Sequence, residues 1–223
     1  MRTNRLVLVG LLFLFTPLLS ASAFYFSGNF SRDDEMRVFE FSIAAPTVVT
    51  MQSWGYGGPT DPVTGGPLVG GFATVFSMFD SLGNLAGGPD TGGVNGGNPA
   101  CGPRGVDPAT NFCLDAYIQE VLGAGLYRLV LTEFNNLPIG TKFSQGFDHT
   151  GQGNFTGPLF GPGNGGFYDL FGNSRTSRYV ITVSGVDSAK EIVPEPSTIS
   201  LTCLAIALAM RYRKRRITGP RQL

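Results

Sequence analysis

The amino-acid sequence predicts an all-β protein, an antiparallel β-sandwich of jelly-roll type with long glycine-rich loops. Short segments alternate apolar and polar residues with a period of two, as strands with one buried face do. Glycine separates these segments, and 16 glycines lie between Gly55 and Gly105 alone. The stretches 55–71 and 87–105 are therefore expected to be loops with little intrinsic order. Roughly five to eight strands in about 170 residues are typical of two packed antiparallel sheets.

The first two predicted strands lie on either side of an Ala-Pro turn. Phe39, Phe41 and Ile43 alternate with polar residues, and a β-rich run covers 47–54. We expect these two strands to form a hairpin. The same alternation predicts four more strands, at 75–80, 114–119, 126–132 and 178–184.

Two of the later strands have a clear apolar face. Tyr127, Leu129 and Leu131 form one such face. In the strand that we predict to be the last, at 178–184, Tyr179, Ile181 and Val183 should point inward, although Val180 interrupts the alternation.

Charge is unevenly distributed along a chain whose formal net charge is zero. Of the 16 Lys and Arg residues, Arg2, Arg5 and six between Arg211 and Arg221 lie at the two ends, so the segment 24–196 keeps 8 of them with all 16 acidic residues. A body with this negative charge repels nucleic acid, which we exclude as a partner. Its length suits one domain with one core.

The N terminus has the composition of a secretory signal peptide. Basic residues precede the apolar run 6–19, and Ala21 and Ala23 supply the small residues that signal peptidase requires. We expect a signal helix over residues 1–23, removed by signal peptidase, and an exported β-sandwich domain over residues 24–192.

Three parts follow one another at the C terminus. Val193, Pro194, Glu195 and Pro196 come first, and their prolines stop regular structure. The apolar run 199–210 is next, a membrane helix that is short for a bilayer core about 30 Å thick. A basic cluster then flanks the helix and should stay on the cytoplasmic side, at Arg211, Arg213, Lys214, Arg215 and Arg216.

This order of parts resembles the PEP-CTERM sorting tag of Gram-negative bacteria, which would cover residues 193–216 and leave 217–223 as a short tail. In that family the tag is recognised by exosortase, a membrane processing enzyme, and the proteins commonly accompany exopolysaccharide production. The resemblance implies exosortase as a partner and transient anchoring in the inner membrane through the C-terminal helix. It also implies a mature protein in the periplasm, at the cell surface or outside the cell.

The body resembles a family of PEP-CTERM exported proteins whose fold is similar to the bacterial pre-peptidase C-terminal (PPC) β-sandwich. The motifs that carry the resemblance are Asp33-Asp34 before Phe39-Glu40-Phe41, Gly57-Gly58, Phe79-Asp80 with Gly83, Gly125-Leu126-Tyr127 and Gly153-Asn154-Phe155-Thr156. That family has no settled activity, so the resemblance implies an architecture and a location rather than a reaction.

Cys101 and Cys113 lie 12 residues apart in a loop-rich stretch of an exported chain. Because the compartment is oxidising, a disulfide is the leading interpretation. A metal site is the alternative, but two thiolates without a nearby His make an incomplete zinc shell. Cys203 lies in the tag helix and cannot pair with either.

Two sets of residues are candidates for hydrolytic chemistry. His149 follows Asp148, but the sequence has no Gly-x-Ser-x-Gly motif and no second His, which favours a solvated loop histidine. Asp33, Asp34 and Glu35 could serve a glycosidase, but neighbouring acids at the start of a strand favour a solvated, negatively charged edge. We therefore predict no enzymatic activity, with a glycan hydrolase as the less favoured alternative.

Oxygen-rich loops leave a calcium site open as the one cofactor to consider. Its ligands would come from Asp80, Asn84 and Asp90, or from Asp107 and Asp115. The spacing is not that of an EF-hand, so we predict no metal ligands and a core that folds without calcium.

Three aromatic residues, Tyr25, Trp54 and Tyr56, would stack on sugar rings if they are exposed, whereas the competing interpretation places them in the core. We predict a noncatalytic exported protein associated with exopolysaccharide or the cell surface. A carbohydrate-binding module on the same sandwich, with extracellular polysaccharide as its partner, is the alternative. Exposure of Trp54 and Tyr56 on one concave face would favour it.

Overall fold

A computed structural model of the chain describes residues 22–58, 60–61, 65–66, 68–90, 94–95 and 101–192. The predicted signal helix with Ala21, the sorting motif from Val193 to Pro196, the C-terminal helix and its basic cluster lie outside these residues. Ala23, the other predicted cleavage residue, is the first residue of a strand. Within the described residues, no helix is long and apolar enough to cross a bilayer.

The chain is built almost entirely from strands. In chain order they are β1 (Ala23–Asn29), β2 (Met36–Ile43), β3 (Thr47–Ser53), β4 (Gly57–Gly58), β5 (Leu68–Val69), β6 (Thr74–Asp80), β7 (Leu85–Asp90), β8 (Val94–Asn95), β9 (Phe112–Cys113), β10 (Tyr117–Leu122), β11 (Gly125–Glu133), β12 (Arg178–Ser184) and β13 (Ser188–Ile192). A 3-10 turn at Phe143–Gln145 and the short helix α1 (Thr156–Phe160) lie between β11 and β12.

Two antiparallel sheets contain nine of these strands. Sheet A has the order β1-β12-β3-β10, and sheet B has the order β13-β2-β11-β6-β7. The short strands form two further pairs, β4 with β5 and β8 with β9. The predicted all-β class, with antiparallel sheets, is confirmed.

Side chains from both sheets meet in one apolar core. Sheet A contributes inward residues that include Met51, Ile181 and Val183, and sheet B contributes Phe39, Phe41, Phe76, Leu129 and Leu131. Every one of these side chains is buried, and for those of β2, β11 and β12 the period-two alternation predicted it. Burying one side chain of this size contributes about 1.5–3 kcal/mol, so the core holds the two sheets together.

The predicted hairpin between the first two of these segments is wrong. β2 pairs with β11 and β13 in sheet B, whereas β3 pairs with β10 and β12 in sheet A. The connection, 44–46, carries neither the Gly nor the Asn that tight two-residue hairpins need at positive φ, and the chain crosses from one sheet to the other there. β10 and β11 are likewise joined by a short turn but lie in different sheets.

Several strands depart from the expected boundaries, and β10 is shifted from the predicted 114–119 to Tyr117–Leu122. β13 follows the strand that was predicted to be the last, and β1 precedes the first one. β7 continues through Gly87 and Gly88, inside a stretch predicted to be loop. Glycine by itself does not favour a strand, but this segment is held as one because it pairs with β6. The count of nine strands in the two sheets therefore exceeds the predicted range.

Candidate functional site

Long loops at the ends of the strands enclose an ionic cluster centred on Arg175. Its guanidinium group is 2.8 Å from Asp107 and 2.7 Å from Asp169, and all three side chains are buried. The group also donates to the Tyr56 hydroxyl at 2.9 Å and lies 4.2 Å from the centre of that ring. These contacts join three distant segments, after β3, before β9 and before β12.

Burial and ion pairing act against each other in this cluster. Burial alone would raise the pKa of Asp107 and of Asp169, but hydrogen bonds from Arg175 and other donors outweigh it and hold both pKa values below their usual range. Burial would lower the pKa of Arg175, yet its two carboxylate partners raise it. Burial raises the pKa of Tyr56. At neutral pH the cluster therefore holds fixed charges that fasten the loops together.

The predicted disulfide between Cys101 and Cys113 is present, with a Cα–Cα distance of 6.0 Å. Since the two sulfur atoms bond each other, the alternative metal site does not describe them. The closed loop approaches β4 so tightly that a Cβ atom on Gly57 would lie 2.6 Å from the carbonyl oxygen of Gly105. Position 57 therefore requires glycine. Asp107, which lies in the same disulfide-closed loop, accepts a hydrogen bond from Arg175.

Asp33 and Asp34 are buried, so the expectation of a solvated acidic edge is wrong for both. The Asp33 carboxylate accepts hydrogen bonds from the backbone N–H groups of Phe155 at 2.8 Å, Thr156 at 3.0 Å and Phe167 at 3.2 Å. Asp34 accepts one from a backbone N–H group at 2.9 Å. Both acids accept hydrogen bonds from backbone N–H groups of a segment more than 100 residues away, which is a structural role.

The acids considered as calcium ligands have protein donors around them. Asp80 accepts from the backbone and side chain of Asn84 within the β6–β7 turn, and Asp90 pairs with Arg104 at 3.0 Å. Asp115 is fully buried, which raises its pKa, and it accepts two backbone N–H groups and a serine hydroxyl. Across the described ranges, no group of three or more His, Cys, Asp or Glu residues is placed to hold a metal ion.

His149 is half-buried and stacks on Phe155, with ring centres 4.0 Å apart. Its Nδ1 lies 2.9 Å from the Gln152 amide oxygen, and its Nε2 lies 3.5 Å from the Asn135 amide. These partners are side-chain amides rather than the neighbouring Asp148, which is exposed. The arrangement differs from a His-carboxylate pair, in which a carboxylate orients the ring.

Glu133 is a buried acid that sequence reasoning missed. Its side chain is 1% exposed at the end of β11, and its Oε2 has no hydrogen-bond partner. Burial raises its pKa well above the usual value, and the charges of Asp33 and Asp169 raise it further. A signal was present in the sequence, because Glu133 continues the inward alternation of Leu129 and Leu131.

The outward face of sheet A carries aromatic and neutral polar side chains. Strand register places one row across all four strands, at Tyr25, Thr182, Gln52 and Tyr117. The next row contains Ala23, Ser184, Thr50 and Gln119, and beyond it come Val48 and Val121. None of these ten residues carries a formal charge, whereas Arg178, two rows from Thr182 on the same face, is charged and lies 3.7 Å from Asp61.

Two of the three predicted aromatic residues belong to this face. Trp54 is half-buried, and its indole N–H donates to the Thr182 hydroxyl at 3.1 Å. Tyr25 is also half-buried, and its hydroxyl donates to Asp61 at 2.8 Å. Tyr56 is fully buried beneath Arg175, as the interpretation that places it in the core requires, so Trp54 and Tyr56 do not share the exposed face that would have favoured a carbohydrate-binding module.

No family model matches the chain, and no curated protein matches it in sequence.

Proposed function

We propose that this chain is a noncatalytic exported protein, sorted by an exosortase system and associated with exopolysaccharide or the cell surface. The observation that carries the proposal is the use of its acids: Asp33, Asp107, Asp115 and Asp169 each accept hydrogen bonds that fasten loops to the sandwich. A catalytic acid needs access to substrate, whereas these carboxylates face the protein interior.

The export and sorting parts of the proposal rest on the sequence. A signal peptide over 1–23 and a PEP-CTERM-like tag over 193–216, with its membrane helix, would flank the folded domain. The finer fold type is also part of the proposal. Strand orders β1-β12-β3-β10 and β2-β11-β6-β7, with β13 added at one edge, support a jelly roll, because successive strands of the two sheets alternate between them except at the β6–β7 hairpin.

Cell fractionation tests the sorting proposal. The full chain is expressed in an exosortase-containing host and in a matched strain that lacks the enzyme, and its fragments are mapped by mass spectrometry. We expect cleavage near Pro194 only when exosortase is present, with loss of Arg211 and the residues after it. Recovery of the intact C terminus on the exported protein of both strains would contradict the proposal.

A carbohydrate-binding module is the second candidate function. The outward face of sheet A favours it, because Tyr25 and Trp54 are accessible there among neutral hydrogen-bonding side chains. The two candidates are compatible, since a protein sorted to the cell surface meets extracellular polysaccharide.

A further inference from the structure

We propose that the outward face of sheet A binds a neutral polysaccharide, with Tyr25 and Trp54 as stacking platforms and the amides and hydroxyls between the aromatic residues as hydrogen-bond partners. This inference rests on the second candidate function, whose site and ligand class it specifies. It does not depend on processing of the C-terminal tag.

The geometry of the row suits a chain of sugar rings. The row crosses four strands, from Tyr25 on β1 to Tyr117 on β10, and adjacent strands lie about 4.8 Å apart, so its three inter-strand steps extend across roughly 14 Å. That length exceeds one sugar ring. A linear polysaccharide crossing the strands would meet Tyr25 and the Trp54 indole before it reaches the covered end of the row at Tyr117.

The two platforms are held in place before any ligand binds. The Trp54 indole is fixed by its bond to Thr182, and the Tyr25 ring is fixed by its bond to Asp61. Rings that are already oriented lose little conformational entropy on binding, which favours stacking on the apolar faces of sugars.

Neutral partners surround the platforms. Thr50 accepts a hydrogen bond from the Gln119 amide at 3.1 Å, and Ser184 donates to the Thr50 carbonyl at 3.4 Å. Hydroxyl and amide groups both donate and accept, as sugar hydroxyls do, so the two surfaces are chemically complementary.

Charge selects a neutral polymer over an anionic one. An acidic polysaccharide would need cations on the face, but the nearby basic residues face acids: Arg178, about half exposed, lies 3.7 Å from Asp61, and Arg104 is paired with Asp90. The outer side of sheet B differs, since it carries the Glu40–Lys190 ion pair at 3.0 Å. Sheet A is therefore the side that suits an uncharged glycan.

Part of the row is already covered, which limits the site. Gln52 donates to the carbonyl of Pro103 in the disulfide loop, and Arg104 lies over the Tyr117 ring, 5.6 Å from its centre. The accessible portion therefore centres on Tyr25 and Trp54, with the disulfide loop as a wall near Tyr117.

Trp54 is the only tryptophan, so its fluorescence reports directly on the site. The exported protein is titrated with hydroxyethylcellulose, galactomannan and xylan as neutral probes and with alginate as the anionic probe, and its mobility is followed by affinity electrophoresis. We expect a blue shift of Trp54 emission and retarded migration with at least one neutral probe, and neither with alginate. Trp54→Ala and Tyr25→Ala should each bind at least about tenfold more weakly, and Trp54→Phe should retain most of the affinity.

Leu82→Ala is the matched control, because Leu82 is 83% exposed in the β6–β7 turn, away from this face. It should bind as the native chain does, and circular dichroism verifies the fold of every variant. The inference is overturned if no neutral probe binds, if alginate is preferred, or if folded Trp54→Ala binds normally. A concentration-dependent shift of Trp54 emission without polysaccharide would assign the face to a second copy of the chain and would also overturn it. Exosortase-dependent cleavage is measured separately, so either proposal can fail alone.

Discussion

Arg175 and Asp107 are 68 residues apart in the sequence and form a buried ion pair with an N–O distance of 2.8 Å. The pair connects the disulfide loop to the segment that leads into β12. Asp169 contacts the same guanidinium group, so removal of Arg175 would leave two buried carboxylates without their counterion.

Arg175→Met is therefore expected to lower the free energy of unfolding by about 3–5 kcal/mol, because Asp107 and Asp169 would be left buried and uncompensated. Urea denaturation followed by circular dichroism measures the effect. Arg178→Met is the control, since Arg178 is about half exposed and lies 3.7 Å from its partner, and it should cost less than about 1 kcal/mol. Equal losses in the two variants would contradict the assigned role of the cluster.

Glu133→Gln is expected to stabilise the protein at neutral and alkaline pH. The pKa of Glu133 is raised in the folded state above its unfolded value near 4.5. Below pH 4.5 the side chain is protonated in both states, and its contribution to the free energy of unfolding is complete. As pH rises through the folded pKa, that contribution is lost. Each unit of elevation corresponds to about 1.4 kcal/mol. Glutamine does not titrate, so the variant avoids this loss.

Urea denaturation at pH 4, 6 and 8 tests the Glu133 prediction. The difference between variant and native chain should be small at pH 4 and should grow toward pH 8. Glu120→Gln, at an exposed position of β10, serves as the control and should show no such trend. A pH-independent difference for Glu133→Gln would refute the pKa assignment.

Loss of the disulfide should destabilise the domain without changing its fold class. Replacing Cys101 and Cys113 together by Ser is expected to lower the free energy of unfolding by about 2–4 kcal/mol, since the cross-link restricts the unfolded chain. In the native protein, alkylation should label neither thiol before reduction and both after it. Labelling of both thiols without reductant would show that the exported protein lacks this bond.

Calcium removal should leave the melting temperature unchanged. Asp80, Asp107 and Asp115 already accept hydrogen bonds from protein donors, which a calcium ion would have to displace. Thermal melts with calcium chloride and with EDTA measure the difference, and magnesium chloride controls for ionic strength. A large fall in melting temperature with EDTA would establish a calcium-stabilised domain.

Much of the strand content could be predicted from the sequence because alternation is a local property. The inward positions of Tyr179, Ile181 and Val183 follow from a period of two within one strand, and all three are buried. The disulfide could also be predicted, since the chain contains only one other cysteine besides Cys101 and Cys113.

The candidate site was predicted only in part. Trp54 and Tyr25 were singled out as aromatic residues, but the row that joins Tyr25 to Tyr117 depends on the order of β1, β12, β3 and β10, which are distant in sequence. Tyr56 lies two residues after Trp54, yet Arg175 covers it from a segment 119 residues away. No local pattern distinguishes these two environments.

Most strands of the two sheets, the buried faces of several of them and the cysteine pair follow from the sequence alone, because each depends on residue type and short spacing. The sheet that each strand joins depends on contacts made only in the folded protein, as the separation of β2 from β3 illustrates. The burial of Asp33 and Glu133 depends on them too, since solvent is excluded by segments that approach only after folding. Contacts between residues distant in the chain depend on the whole topology, and that is why local periodicity predicts an element but not its neighbours.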